Sequence, residues 1–283
     1  MQVGVCLPQF TVDGQLPLAA ARDAEADGYD LVTLFDHLRP LGGAPDRPIL
    51  ECLTTLTAVA AGTDRVTVAP LVLRATLRPP ATVASAFRTL ALLAPGRVVC
   101  GIGAGDRLNE AEDVSVGLPV LAPAARRDAA ASLVTAVRSE VPGVPVWIGG
   151  SGRAIKAMAG RLADGWNIWA ASPDLLRSGA AEVTSAAVES GRPAPRITWA
   201  GQILLAATPR DAAGQRGGWA AGRSENEVAG LISGDAVGVG RQLADLVSAG
   251  AQTIVLSFVG PDATRARRSF AQTVLPGVRR DLN

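Results

Sequence analysis

The chain is short of the residues that most often carry chemistry. Its 283 residues hold one histidine, His37, one lysine, Lys156, and three cysteines. A single imidazole argues against a His-built zinc centre. Cys6, Cys52 and Cys100 stand far apart in apolar stretches and form no C-x-x-C pair, so each reads as a small core hydrophobe. Apolar runs such as residues 254–259 fall far short of the ~20 residues of a membrane span. The sequence opens directly into a strand pattern without a basic leader, and the expectation is a soluble cytoplasmic protein with no membrane partner. Neither sign of charge dominates, with 27 Lys+Arg against 26 Asp+Glu. No basic face is interleaved with aromatics, so nucleic acid is not an expected partner.

What remains is an apolar chain, 48% hydrophobic, with 31 glycines. Short β-branched runs alternate with longer Ala/Leu-rich amphipathic stretches, the pattern of repeated βα units on a parallel sheet. Strands are expected at 3–7, 31–34, 66–69, 98–102, 146–148, 165–169, 197–205 and 253–257. Eight strands in a length near the roughly 250 residues of a (β/α)8 barrel predict a single α/β TIM-barrel domain over 1–283. Helix ends are marked by Ser172-Pro173 and Thr208-Pro209 at N-termini and by Gly28 and Gly250 at C-termini. Residues 214–240 are the least legible, and there a helix is expected to begin near Ser224 (Ser-Glu-Asn-Glu).

A barrel of this kind carries its chemistry on the loops after its strands. After the second strand, Asp36-His37 sets an acid and the lone imidazole at the mouth, where histidine can exchange a proton near neutral pH or merely cap a strand end. After the third, Ala69-Pro70-Leu71-Val72 reads either as continued core or as an apolar lip against a flat ring. After the fourth, Gly101, Gly103 and Gly105 lead into Asp106-Arg107-Leu108-Asn109-Glu110, a loop in which glycine would let the backbone approach a ligand. Asp106 stands where the dinucleotide fingerprint needs its third glycine, so a Rossmann site is not expected. After the fifth, Gly149-Gly150-Ser151-Gly152 precedes a helix near Arg153 and reads as a phosphate cradle. It is not a nucleophile elbow, because Arg153 replaces the last glycine of G-x-S-x-G.

Two of these segments resemble the luciferase-like monooxygenase and F420-dependent oxidoreductase superfamily. Leu92-Leu93-Ala94-Pro95-Gly96-Arg97 running through Gly101-Ile102-Gly103-Ala104-Gly105 is similar to its fourth-strand motif. Val146-Trp147-Ile148-Gly149-Gly150-Ser151-Gly152, followed by Ala163-Asp164-Gly165-Trp166-Asn167, is similar to its fifth- and sixth-strand signature. The likeness covers most of 1–169 and returns around 234–277. Asp36-His37 and Gly105 to Glu110 resemble the branch that uses the deazaflavin coenzyme F420, with FMN as the alternative cofactor. The resemblance implies that Asp36 and Asn109 contact the ring and that Pro70 and Leu71 form a bulge with a non-proline cis bond behind it. It implies that Gly149, Gly150, Ser151 and Gly152 hold the cofactor phosphate, and that the protein is a homodimer.

The expected reaction is hydride exchange between F420 and a small-molecule substrate. His37 would exchange a proton with the substrate, and Asp106 or Glu110 with the ring. Asp106 stands where the F420 sugar-phosphate dehydrogenases carry glutamate, Leu41 where they carry tryptophan, and Ser172 where they carry a phosphate-binding lysine. With no lysine beyond Lys156, a sugar phosphate is not the expected substrate. An FMN-dependent monooxygenase and a non-catalytic flavin-binding barrel stay open as alternatives.

Overall fold

A computed structural model describes residues 1–39 and 47–280, with the side chains of 226, 227 and 280 left aside. In chain order, β1 (Gln2–Cys6), α1 (Leu16–Ala26), β2 (Leu31–Leu34), α2 (Cys52–Ala61) and β3 (Thr67–Pro70) form the first units. They are followed by β4 (Leu73–Arg74), α3 (Pro80–Leu93), β5 (Cys100–Gly103), α4 (Glu110–Ser115) and α5 (Pro123–Glu140). Next come β6 (Val146–Gly149), α6 (Arg153–Leu162), β7 (Gly165–Trp169), α7 (Pro173–Glu189), β8 (Arg196–Leu205) and α8 (Pro209–Ala220). The chain closes with α9 (Glu225–Ala229), β9 (Ile232–Gly234), α10 (Ala236–Ser248), β10 (Thr253–Phe258), α11 (Ala263–Thr273) and α12 (Leu275–Arg280).

The strands are parallel and follow the order β3-β2-β1-β10-β8-β7-β6-β5-β4, with β9 paired to the end of β8. A bridge from Val68 to Val98 brings the two ends of that path together. This is the (β/α)8 barrel expected from the sequence, and all eight anticipated strands are present. β3 and β4 are two pieces of one barrel strand, interrupted by a cis peptide bond between Leu71 and Val72. β9, three residues long, lies in the stretch that sequence periodicity left blank; so short an element gives no period to read.

Both faces of the strands are buried, as a parallel sheet covered by helices requires. Val32, Leu34, Ile102, Ile148, Trp166 and Ile254 pack outward against the helices. Leu31, Ala69, Val99, Trp147, Ala200 and Val255 fill the barrel interior, with Cys6 and Val72 against them. The helix ends follow the local chemistry read from sequence. Ser172 accepts from the Leu175 N–H and Thr208 from the Asp211 N–H at the starts of α7 and α8. Gly28 and Gly250 follow α1 and α10 with φ of 85° and 108°, a region that favours glycine. α9 begins beside Ser224 as anticipated.

Candidate functional site

The segments after β2, β4, β5 and β6 meet on one rim of the barrel around a cavity of about 440 Å³. His37, Asp106 and Asn109 line it, together with Leu71, Gly103, Gly105 and the whole 149–152 loop. Asp36 borders it as well, whereas Pro70 and Glu110 do not. Pro70 lies behind the wall, its carbonyl oxygen so near Gly101 that an added Cβ there would stand 2.2 Å away. Glu110 turns to Arg126, 3.6 Å distant. Leu41 lies outside the described residues.

The imidazole is held by a carboxylate that the sequence reading passed over. His37 Nδ1 lies 2.9 Å from Glu112 Oε2, and the other oxygen of Glu112 accepts the backbone N–H groups of Leu38 and Arg39. Burial alone would raise the Glu112 carboxyl, but the bonds from His37, Leu38 and Arg39 outweigh it and hold the group below the usual glutamate range. An ionised Glu112 accepts the Nδ1 proton, which leaves Nε2 as the free nitrogen of the neutral ring. Arg74, also buried, ties Glu112 to Asp113 through its two terminal nitrogens.

Asp36 is spoken for in the same way. Arg78 donates to both of its oxygens at 2.8 and 2.9 Å, and the Arg74 backbone N–H donates to Oδ2 at 2.9 Å. Its carboxylate therefore pins the strand after the bulge to the end of β2. Arg78 also reaches Glu51, so four carboxylates, Asp36 and Glu51 between β2 and α2 and Glu112 and Asp113 in α4, are fixed by two buried or half-buried arginines.

The glycines serve two separate ends. At Gly103 and Gly149 an added Cβ would come within 2.4 and 2.7 Å of Val72, so these residues make room for the bulge. Around Gly152, by contrast, there is open space, and no side chain caps the N-terminus of α6. Gly150 is fixed on both sides, its N–H donating to the Asn167 carbonyl and its carbonyl accepting from the Trp166 indole at 2.8 Å. With φ of 138° it occupies a backbone region that L side chains avoid. Asp106 caps the turn 107–109 through the Leu108 N–H, and the Asn109 side chain returns the bond to the Asp106 N–H.

Two buried polar atoms near the cavity have no hydrogen-bond partner: the side-chain carbonyl of Asn167 and Nε of Arg74. Such atoms are costly unless something pairs with them. Phe35 and Trp169 meet edge to face, 5.6 Å between centroids, above the strands. Phe35 also borders a second cavity of about 540 Å³, beneath the segments after β1, β8 and β10. Sequence reasoning missed Glu112, Arg74 and Asn167 as site groups. Only the proximity of Glu112 to Asn109 in the chain hinted at one of them.

The family model described as luciferase-like monooxygenase matches residues 11–138 and 129–223. A protein of Beutenbergia cavernae named F420-dependent glucose-6-phosphate dehydrogenase is 37% identical over 173 residues, covering 50% of this chain and 49% of its own length. The same name belongs to a Microbacterium testaceum protein, 34% identical over 172 residues and 50% of this chain, 49% of the other. The chain thus spans about half the length of the curated relatives it matches. Among solved structures, an F420-dependent secondary alcohol dehydrogenase in complex with an F420-acetone adduct superposes with a TM-score of 0.83. It shares 20% identity, and the match covers 98% of this chain and 99% of that one.

These relatives correct one expectation. Excluding a sugar phosphate because lysine is scarce does not stand, since the matched relatives are named for just such a substrate. The physical fault lay in counting one kind of cation: a guanidinium binds phosphate as readily, and in a bidentate fork.

Proposed function

The chain belongs to the luciferase-like monooxygenase family, and from that premise we propose that it is an oxidoreductase using the deazaflavin coenzyme F420 on a small organic substrate. The observation that carries the reading is the lone imidazole: it lines the rim cavity, is oriented by Glu112, and faces the same space as an uncapped, glycine-opened helix N-terminus. The names of the curated relatives support F420 as the cofactor.

The residues present fit that group. Asn167 Oδ1 and Arg74 Nε, buried and unpaired, would bond a flat, polar ring, and the apolar Leu71 and Val72 of the bulge would back it. The N–H groups of the 149–152 loop and the positive end of α6 would hold an anionic tail. When bound, F420 supplies a ring carbon that takes or gives hydride. The chain's own part is to hold and move protons. Nε2 of His37 takes the proton of a substrate hydroxyl as its carbon is oxidised, or returns it in the reverse direction. Asp106 is exposed at the rim, and we assign it rather than Glu110 the ring-side proton, because Glu110 faces Arg126 outside the cavity. Asp36 acts here by holding Arg78 and the strand after the bulge in place. We take residues 1–283 as one barrel domain working as a cytoplasmic homodimer; among the described residues no helix is long and apolar enough to cross a membrane.

The test is His37→Ala. Turnover should fall by roughly 10²–10⁴, the usual share of a general acid-base group, with F420 affinity nearly unchanged. Unchanged turnover would remove the imidazole from the chemistry.

A further inference from the structure

The second cavity shares Phe35 with the first, and its polar groups are unevenly used. Gln9 spends its side chain on the backbone of Phe35 and Leu50. The Cys6 thiol accepts from Thr33 and is pushed up to about 11 by burial, so it is inert near neutral pH. Asp23 and Arg267, on the flanking helices, neutralise each other, and Arg268 and Asp27 complete that network. Gln202 and Ser257 are left, facing each other in register on β8 and β10. So are Arg47 and Arg223.

Neither of these arginines has a carboxylate partner among the described residues. Each is laid over an aromatic face, Arg47 at 4.6 Å from the Phe10 centroid and Arg223 at 4.3 Å from that of Trp219. The Trp219 carbonyl accepts one further bond from Arg223. Stacking orders a guanidinium by its face and leaves N–H edges free, the edges that fork onto an oxyanion. A cavity with two ordered cations, no free acid among its described lining residues, and an amide and a hydroxyl on its floor is complementary to an anion that also carries hydroxyl groups.

Resting on the function proposed above, we propose that the second cavity is the substrate chamber and that Arg47 and Arg223 hold the substrate by an anionic group, a phosphate ester or a carboxylate. Gln202 and Ser257 bond its hydroxyls, and Phe35, the residue that borders both cavities, marks where the reacting carbon passes from this chamber to the ring and His37 in the cofactor cavity.

The experiment is calorimetric titration of the full chain at low salt with glucose 6-phosphate, gluconate and glucose, and of the same samples with F420. One or both anions should bind and glucose should not, and the anion that binds identifies the group. Arg47→Gln and Arg223→Gln should each weaken anion binding at least tenfold, with Arg47→Lys and Arg223→Lys recovering part of it, while F420 affinity stays at the wild-type value. Equal binding of glucose and the anions, no anion binding by the wild type, or anion binding unchanged in both glutamine variants would overturn the inference. Failure of the wild type to bind F420 would count instead against the function proposed above, and the anion titrations read the chamber independently of it.

Discussion

Replacing Glu112 by glutamine tests how the imidazole is set. The carboxylate accepts from His37 Nδ1, Arg74 and two backbone N–H groups. The two backbone donors meet Oε1 while Nδ1 and Arg74 share Oε2, so an amide that keeps its oxygen on the backbone N–H groups puts its NH₂ in the place of Oε2. Its NH₂ then faces Nδ1 and donates to it, which moves the ring proton to Nε2 and removes the free base from the cavity. Turnover in the direction that abstracts a proton should fall by about 10² or more, within the range of losing the group outright. Breaking a buried charge pair costs about 3–5 kcal/mol. Arg74 keeps Asp113, so the stability loss belongs at the lower edge of that range. The Glu112 carboxyl is held below its ordinary value, so its contribution is full above the unfolded-state pKa, roughly 4.3, and is lost as pH falls through the lower folded value. Urea unfolding from pH 7 to pH 3 should therefore show a steeper acid loss in the wild type than in Glu112→Gln. Stopped-flow turnover of the two proteins completes the comparison. Wild-type turnover together with a wild-type acid profile would refute the assignment of Glu112 as the positioning residue.

Two further outcomes follow. Gly152→Val points into open space, so its melting temperature should stay close to the wild-type value while cofactor affinity drops at least tenfold; equal affinity would remove the loop from the tail-binding role. Burial raises the thiols of Cys52 and Cys100, both fully enclosed, so at pH 8 iodoacetamide should label neither in the native chain and both in urea, as read by mass; rapid native labelling of either would contradict the packed interior.

The barrel was legible because strands buried on both faces leave continuous apolar runs such as Val146-Trp147-Ile148, and because glycine and proline punctuate the helices between them. The loop residues at the mouth were legible for the same reason: once the strands are placed, Asp36-His37 and 149–152 must share a rim. What stayed hidden depends on side-chain direction. Glu110, Glu112 and Asp113 look alike as charges at a helix start, yet only packing turns Glu110 to Arg126 and Glu112 to His37. Gly103 and Gly149 read as openings toward a ligand, but the space is Val72's. Arg47 and Arg223 lie 176 positions apart in the chain, and only the fold brings them to one cavity.

Equilibrium titration of the purified chain with F420 and, separately, with FMN meets the central claim most directly. F420 should bind saturably and at least tenfold more tightly than FMN, with the bound form exchanging hydride in a single turnover. Tighter binding of FMN, or no binding of F420, would contradict the account.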